Sequence, residues 1–204
     1  MLGSRLSLIT VDPPHLGECV RFVEDEVRPT TEIQSGSLGT WLCVNSDLGV
    51  AIFQSFWASV EDMQASQYRA APPGAETLRP AAGTLTVENY QHPVFELDGP
   101  VRTGAQLRLT RMGMDPAKVP DAVEAYGDTA VPWLADTDGF RSASLLVSEG
   151  TGQAVSQNIW DDSRALADSR GASARVRAAI SESAGWQIKS LEEYELVYST
   201  ARTA

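Results

Sequence analysis

The sequence predicts an α+β protein built from two copies of one β-α-β-β-α-β unit, and three observations support this. The segment around Trp57 recurs around Trp160, 103 positions later. The same offset carries several proline, glycine and serine landmarks onto each other, namely Pro29 onto Pro132, Gly36 onto Gly139, Gly49 onto Gly152 and Ser66 onto Ser169. Strand and helix patterns also follow one order in both halves. Such an internal repeat sets the architecture before single elements are assigned.

Strands are predicted where short apolar or alternating runs are bounded by turn residues. In the first copy these runs cover 5–10, 40–44, 50–57 and 84–97, with Pro93 breaking the last. In the second copy they cover 105–112, 139–148, 153–160 and 186–200. The Pro- and Gly-rich stretch 70–83 predicts a loop.

Helices are predicted where apolar residues recur at spacings of three and four. The first copy has such patterns over 16–27, ended or kinked by Pro29, and from 59 onwards. The second has them over 116–134 and from 161, with Gly171 interrupting before a further helix over 173–182. Candidate N-caps, whose side chains would accept from free backbone N–H groups, are Asp12, Ser59 and Asp115.

Apart from the additional helix in the second copy, this order is ferredoxin-like. Helices in that order cover only one face of each sheet, so the other face needs a partner, and the twin copy is the nearest one. We therefore expect two domains, 1–99 and 100–204, with the junction at the turn-forming residues Asp98-Gly-Pro100. Their sheets are predicted to form one intrachain dimeric α/β barrel.

Composition limits the classes of partner. The chain has 204 residues, 43% hydrophobic and 21% charged, which is typical of a soluble globular protein. No apolar run approaches the roughly 20 residues of a membrane span, and no secretory signal is evident. A net charge of −11 disfavours nucleic acid and anionic membranes. Cys19 and Cys43 are expected in the core, and their small number favours the reducing cytoplasm.

The pattern of titratable residues predicts no metal site. His15 and His92 are the only histidines, and neither has a Glu, Asp or Cys at ligand spacing. Either imidazole could serve as a base, although surface positions are the simpler expectation for both. There is also no glycine-rich phosphate loop after a strand and no nucleophile elbow.

One cluster of motifs resembles a known family. Gly139-Phe140 follows a helix, a hairpin surrounds Glu149-Gly-Thr-Gly152, and the next strand ends in Trp160-Asp-Asp-Ser-Arg-Ala-Leu-Ala-Asp-Ser169. This arrangement resembles the antibiotic biosynthesis monooxygenase-type dimeric α/β barrels. The first copy shows a weaker version over 57–66, so the resemblance covers nearly the whole chain as a tandem fusion.

The resemblance implies a small-molecule enzyme. Family members include cofactor-independent oxygenases of aromatic polyketides and haem-degrading enzymes. Trp57 and Trp160 are similar to the tryptophan that borders the pocket in the oxygenases. Ser66 and Ser169 stand where many members have a histidine, which argues against haem. The implied substrate is a small hydrophobic or aromatic molecule, with no cofactor.

Candidate site residues follow from the family resemblance together with their positions on the strands and helices. Asn158 lies two residues before Trp160, so both side chains project to one face of the strand, and the amide could hold an enolate or phenolate oxygen. These two are the catalytic candidates, and activity is expected in the second copy because it matches the motif better. The substrate-binding candidates are Trp57, Ser55, Ser66, Ser169, Tyr126 and Trp133, with core packing as the alternative for the aromatic ones.

A second class of function stays open. The chain could be a non-catalytic, ligand-binding or stress-related barrel, and the fused pair could itself form a homodimer. A cavity with converging polar groups beside Trp160 favours the enzyme. A filled gap between helices and sheet in both copies favours the structural role.

Overall fold

The computed structural model describes residues 1–69 and 83–201, so the predicted loop at 70–83 lies, except for Gly83, outside the described residues. Within those ranges the strands are β1 (Leu2–Thr10), β2 (Ser37–Asn45), β3 (Val50–Trp57), β4 (Thr84–Leu97), β5 (Gln106–Gly113), β6 (Phe140–Ser148), β7 (Gln153–Trp160) and β8 (Gln187–Ser199). None of the helices described in the two ranges is long and apolar enough to cross a membrane.

The hydrogen-bonded order of the strands is β1-β3-β2-β8-β5-β7-β6-β4, and it closes as a barrel. The predicted α+β class, two ferredoxin-like units in an eight-stranded antiparallel barrel, is confirmed. Compact units comprise Met1–Tyr90 with Leu196–Ala204, and Gln91–Glu195. The division therefore falls within β4 and β8, whereas the sequence placed a single junction at 99/100.

The third strand of each unit, β3 or β7, pairs antiparallel with two other strands of that unit. In the first unit β3 pairs with β1 and β2, so that Ser55 faces Arg5 on one side and Thr40 on the other. In the second unit β7 pairs with β5 and β6, and Asn158 faces Arg108 and Ala143. β3 and β7 are buried along nearly their whole length, as central strands of covered sheets are.

The helices follow the same order in both units. The first unit has a 3-10 turn (Pro13–His15), α1 (Leu16–Phe22), a π turn (Val23–Val27), α2 (Arg28–Glu32) and α3 (Val60–Arg69). The second has a 3-10 turn (Pro116–Lys118), α4 (Val119–Ala125), a π turn (Tyr126–Ala130), α5 (Val131–Ala135), α6 (Ser163–Asp168) and α7 (Arg170–Ala184).

A proline explains each π turn. Pro29 has no N–H to donate, and in a regular α-helix its ring would press on the carbonyl four residues before it. The chain widens just upstream instead, where the Arg28 N–H donates to the carbonyl of Val23. In the second unit the N–H of Val131, next to Pro132, donates in the same way to the carbonyl of Tyr126. The first helix is thus carried past Pro29, and the expected kink takes the form of a π turn, a feature that is frequent at functional sites.

The candidate N-caps had different outcomes. Ser59 Oγ accepts from the Asp62 N–H at 3.0 Å, and the Asp115 side chain accepts from the Ala117 N–H at 3.0 Å, as predicted. The Asp12 prediction was wrong, because its side chain makes no cap hydrogen bond. Gly171 was also misplaced as a helix break, since it lies inside α7 and the break falls at Ser169.

The last strand of the first copy differs from expectation in two ways. β4 is continuous across Pro93, and its pairing with β6 shifts register between Gln91 and Val94. This irregularity tolerates the missing N–H. His92 was expected at the surface but is buried, with only 2% of its area exposed. Cys19 and Cys43 are buried in the core, as predicted.

Candidate functional site

The first unit contains a cavity of about 180 Å³ beside Trp57. Strands β1 and β3 form its floor, and the helix with the π turn lies over it. Most of its lining surface is apolar, including that of Phe22, Val23 and Phe53, although half of the lining residues are polar or charged. Apolar walls with a few placed polar groups are the usual composition of a small-molecule site.

Arg5 provides the charge of this cavity, which was not predicted from the sequence. It is the only charged side chain among the described residues that line the cavity. Its Nη1 donates to Ser66 Oγ at 2.8 Å, and its Nη2 donates to the Met63 carbonyl at 2.6 Å. Nε donates to Asn89 Oδ1 at 2.9 Å. Partial burial lowers the pKa of the guanidinium, which nonetheless remains protonated at neutral pH.

Trp57 and Ser55 form one wall next to Arg5. Trp57 is buried, and its Nε1 donates to Ser55 Oγ at 3.0 Å. The Arg5 guanidinium carbon lies 6.0 Å from the centre of the Trp57 ring, within the range of cation–π attraction. Ser66 in turn donates to the Met63 carbonyl at 2.6 Å. The structure thus brings together three of the predicted substrate-binding residues, Trp57, Ser55 and Ser66.

The corresponding gap in the second unit is nearly filled, with a cavity of about 30 Å³. Tyr126 and Trp133 line it, and the Tyr126 hydroxyl donates to Asn158 Oδ1 at 3.0 Å. Ser156 Oγ lies 3.3 Å from the same hydroxyl. Burial raises the pKa of Tyr126, so its phenol stays neutral at neutral pH. The Asn158 amide oxygen is therefore already occupied by a protein donor.

Side-chain size at equivalent positions explains why one gap is open and the other is filled. The 103-residue offset places Tyr126 where the first unit has Val23, Trp133 where it has Thr30, and Asn158 where it has Ser55. All six residues line their respective cavities. Phe53 and Val27 have the smaller counterparts Ser156 and Ala130, but Trp186 and the side chains of α7 also line the second gap and take up further space.

In the second unit, Trp160 and Ser169 are in contact with other protein side chains. Trp160 has none of its area exposed and packs edge-on against Phe140, with ring centres 6.0 Å apart. Its Nε1 has no hydrogen-bond partner within the described part of the chain, and it is not among the residues lining the small cavity. Ser169 Oγ accepts from Arg108 Nη1 at 3.0 Å.

Two signals in the sequence could have located the first-unit cavity. The repeat offset carries Arg5 onto Arg108, so a paired arginine was visible. The three positions with small residues in the first copy and large ones in the second were visible too. The large side chains of Tyr126 and Trp133 are predicted from the sequence to be pocket walls, whereas in the structure they occupy the space.

The histidines lie outside the lining of both cavities. Burial lowers the pKa of His92 to about 3, partly offset by a backbone hydrogen bond with Val94, so its imidazole is neutral at physiological pH. Its ring centre is 5.1 Å from that of Phe95. Across residues 1–69 and 83–201, His, Cys, Asp and Glu side chains form no group of three or more that could hold a metal ion.

Comparison with known proteins gives relatives in sequence and in fold. The uncharacterized protein Rv2557 of Mycobacterium tuberculosis (strain H37Rv) is 30% identical over 183 residues, covering 90% of this chain and 82% of that protein. Rv2558 of the same strain is 29% identical over 200 residues, covering 98% and 85%. No family model matches the sequence.

Solved structures share the fold at low sequence identity. A candidate monooxygenase (FN1347) from Fusobacterium nucleatum superposes with a TM-score of 0.72 at 13% identity, covering 98% of this chain and 94% of that one. An anthrone oxidase-like protein gives 0.66 at 18% identity, covering 97% and 92%. A ferredoxin-fold protein related to antibiotic biosynthesis monooxygenases, from Listeria monocytogenes, gives 0.55 at 12% identity, covering 95% and 94%. The fold expected from the motif resemblance is therefore confirmed.

Proposed function

The chain belongs to the family of the Mycobacterium tuberculosis proteins Rv2557 and Rv2558, and from the cavity beside Trp57 we propose that it is a small-molecule oxygenase. The proposed substrate is an aromatic, polyketide-like molecule that loses a proton to form a delocalised anion. The observation that carries the proposal is a cavity with apolar walls and one guanidinium. The active cavity is assigned to the first unit, in place of Asn158 and Trp160.

In this mechanism Arg5 stabilises the charge that develops when the substrate is deprotonated. A fixed positive charge in a largely apolar cavity favours the anion more strongly than water does. Solvent accepts the proton, because the described lining residues include no carboxylate or imidazole. Trp57 and Phe53 confine the ring system, and Ser66 holds the guanidinium in place.

Oxygen then reacts with the substrate anion directly. For an anthrone, a C–O bond forms at the deprotonated carbon and gives a peroxide anion, which takes a proton from solvent to become a hydroperoxide. That carbon then loses its remaining hydrogen as a proton while the O–O bond breaks, which leaves a carbonyl group and one water molecule. The substrate supplies the electrons that reduce oxygen, so the balance closes with one O₂ consumed for each quinone formed.

The likeness to an anthrone oxidase-like structure makes anthrone the first substrate to test. We expect protein-dependent oxygen uptake, measured with an oxygen electrode, together with stoichiometric anthraquinone measured by absorbance. A double substitution Val23→Tyr with Thr30→Trp introduces the side chains that fill the second unit's gap, and it should abolish turnover. Trp41→Phe is the control, because Trp41 is as buried as Val23, with 1% of its area exposed, but does not line the cavity.

Two results would refute the proposal or its assignment to this cavity. Undiminished turnover in the cavity-filling variant would place the chemistry elsewhere. Saturable binding of anthrone without any oxygen uptake would favour the competing function, a non-catalytic ligand-binding protein. Melting temperatures of both variants show whether a loss of turnover reflects unfolding.

A further inference from the structure

Arg108 of the second unit shows what a fully satisfied arginine looks like at this position of the fold. The side chain is 1% exposed. Nε and Nη2 donate to Glu193 Oε1 at 3.3 and 3.2 Å, and Nη2 also donates to the Leu166 carbonyl at 2.8 Å. Nη1 donates to Ser169 Oγ at 3.0 Å and to Ser173 Oγ at 2.9 Å. These five bonds use all five N–H groups of a guanidinium, and the Glu193 carboxylate, which Arg170 also contacts, offsets its charge.

Arg5 occupies the equivalent position without that neutralisation. Its contacts to Ser66 and to the Met63 carbonyl repeat those of Arg108 to Ser169 and Leu166. Its Nε, however, donates to the neutral amide of Asn89, where Arg108 meets Glu193. Among the residues that the structure describes, no carboxylate forms an ion pair with Arg5. Within residues 1–69 and 83–201, three of its five N–H groups are used, which leaves one on each terminal nitrogen.

The uncommitted charge lies at the wall of the larger cavity. Arg5 lines the 180 Å³ cavity, whereas Arg108 does not line the 30 Å³ one. A partly buried guanidinium without a counter-ion is electrostatically costly, and a ligand oxyanion would remove that cost. Charge-assisted hydrogen bonds to an oxyanion are also about twice as strong as neutral ones.

We propose that the first-unit cavity selects a singly charged oxyanion, a carboxylate or an ionised phenol, carried on an aromatic body. The oxyanion takes the place at Arg5 that Glu193 takes at Arg108. The aromatic body lies against Trp57 and Phe53. This inference deepens the proposed function, on whose cavity it rests, by naming the charge of the substrate and the residue that recognises it.

A matched pair of ligands tests the charge preference directly. 2-Naphthoate and 2-naphthamide share one ring system and differ in the charge of the substituent. Their affinities are measured by titration calorimetry at neutral pH. We expect the wild-type protein to bind the naphthoate about tenfold or more tightly than the amide, from one or two charge-assisted hydrogen bonds.

One substitution converts the first-unit site to the pattern of the second. Asn89→Glu places a carboxylate next to Arg5, at a residue that is exposed and therefore tolerant of charge. In this variant the preference for naphthoate should fall to about twofold or less, because the protein now supplies the counter-ion. Gln64→Glu is the charge-matched control: Gln64 is exposed on α3 and does not line the cavity, so the preference should persist.

The outcomes separate this inference from the proposed function. Equal binding of the two ligands by the wild type, or an unchanged preference in Asn89→Glu, overturns the anion selectivity. Anthrone turnover would still stand in that case. If neither ligand binds at millimolar concentration, the proposed oxyanion site is wrong, and anthrone turnover decides the proposed function separately.

Discussion

Replacing Glu193 with Gln tests whether the carboxylate neutralises the buried Arg108. The substitution keeps the shape and one acceptor oxygen but removes the charge. Glu193 Oε1 lies 3.2 Å from Arg108 Nη2, where the arginine side chain is 1% and the glutamate side chain 26% exposed. Burial opposes ionisation of Glu193, but hydrogen bonds from Arg170 and Arg108 outweigh it and lower its pKa.

The expected magnitude follows from the burial of the two partners. Breaking a fully buried ion pair costs about 3–5 kcal/mol, because one charge is left without compensation. Water reaches part of Glu193, and Arg108 keeps its bonds to Ser169, Ser173 and Leu166, so the cost is reduced to about 2 kcal/mol. Arg170 adds little, since it is a surface partner with 61% of its side chain exposed.

Thermal unfolding followed by circular dichroism measures this cost. A loss of about 2 kcal/mol lowers the melting temperature of a chain of this size by roughly 4–8 °C. Glu192→Gln is the matched control, because the Glu192 side chain is 27% exposed, much like that of Glu193. Its partner Arg111, however, is 20% exposed, and the ion pair is longer, at 3.4 Å. We expect less than about 1 kcal/mol there. Equal effects of the two substitutions would refute the argument that neutralisation of Arg108 matters.

Two further predictions concern stability. The pKa of His92, lowered to about 3 by burial, is depressed in the folded state, so the unfolded chain binds the extra proton first. Protonation of His92 therefore does not reduce the free energy of unfolding above about pH 6.5. As the pH falls toward 3, the free energy of unfolding decreases by up to about 1.4 kcal/mol per pH unit. Urea unfolding from pH 7 to 4 should show this slope in the wild type and lose it in His92→Gln. An identical slope in both would assign it to other groups. Gly152→Ala should cost at least about 2 kcal/mol, because φ is +65° and a Cβ would collide with the Met114 carbonyl. Gly150→Ala, in the same turn with open space around it, should cost less than about 0.5 kcal/mol by the same melt, and similar losses at both glycines would contradict the steric argument.

The sequence by itself determined the fold, because periodicity and turn chemistry are local properties. Strand alternation, the hairpin glycines and the repeat around Trp57 and Trp160 specify the element order, and that order has few compact solutions. Its errors were local as well. The Asp12 side chain makes no cap hydrogen bond, and the break near Gly171 falls at Ser169, because tertiary packing decides which competing local option is taken.

The tertiary structure decided which unit holds the cavity and where its charge lies. The motif matched the second copy better, yet Tyr126 and Trp133 fill that gap, while Val23 and Thr30 leave the first one open. Whether the charge of Arg5 is neutralised depends on which side chain a distant strand places beside it. The volume of a cavity and the neutralisation of a charge both depend on residues that are far apart in the chain, so patterns among sequence neighbours do not predict them.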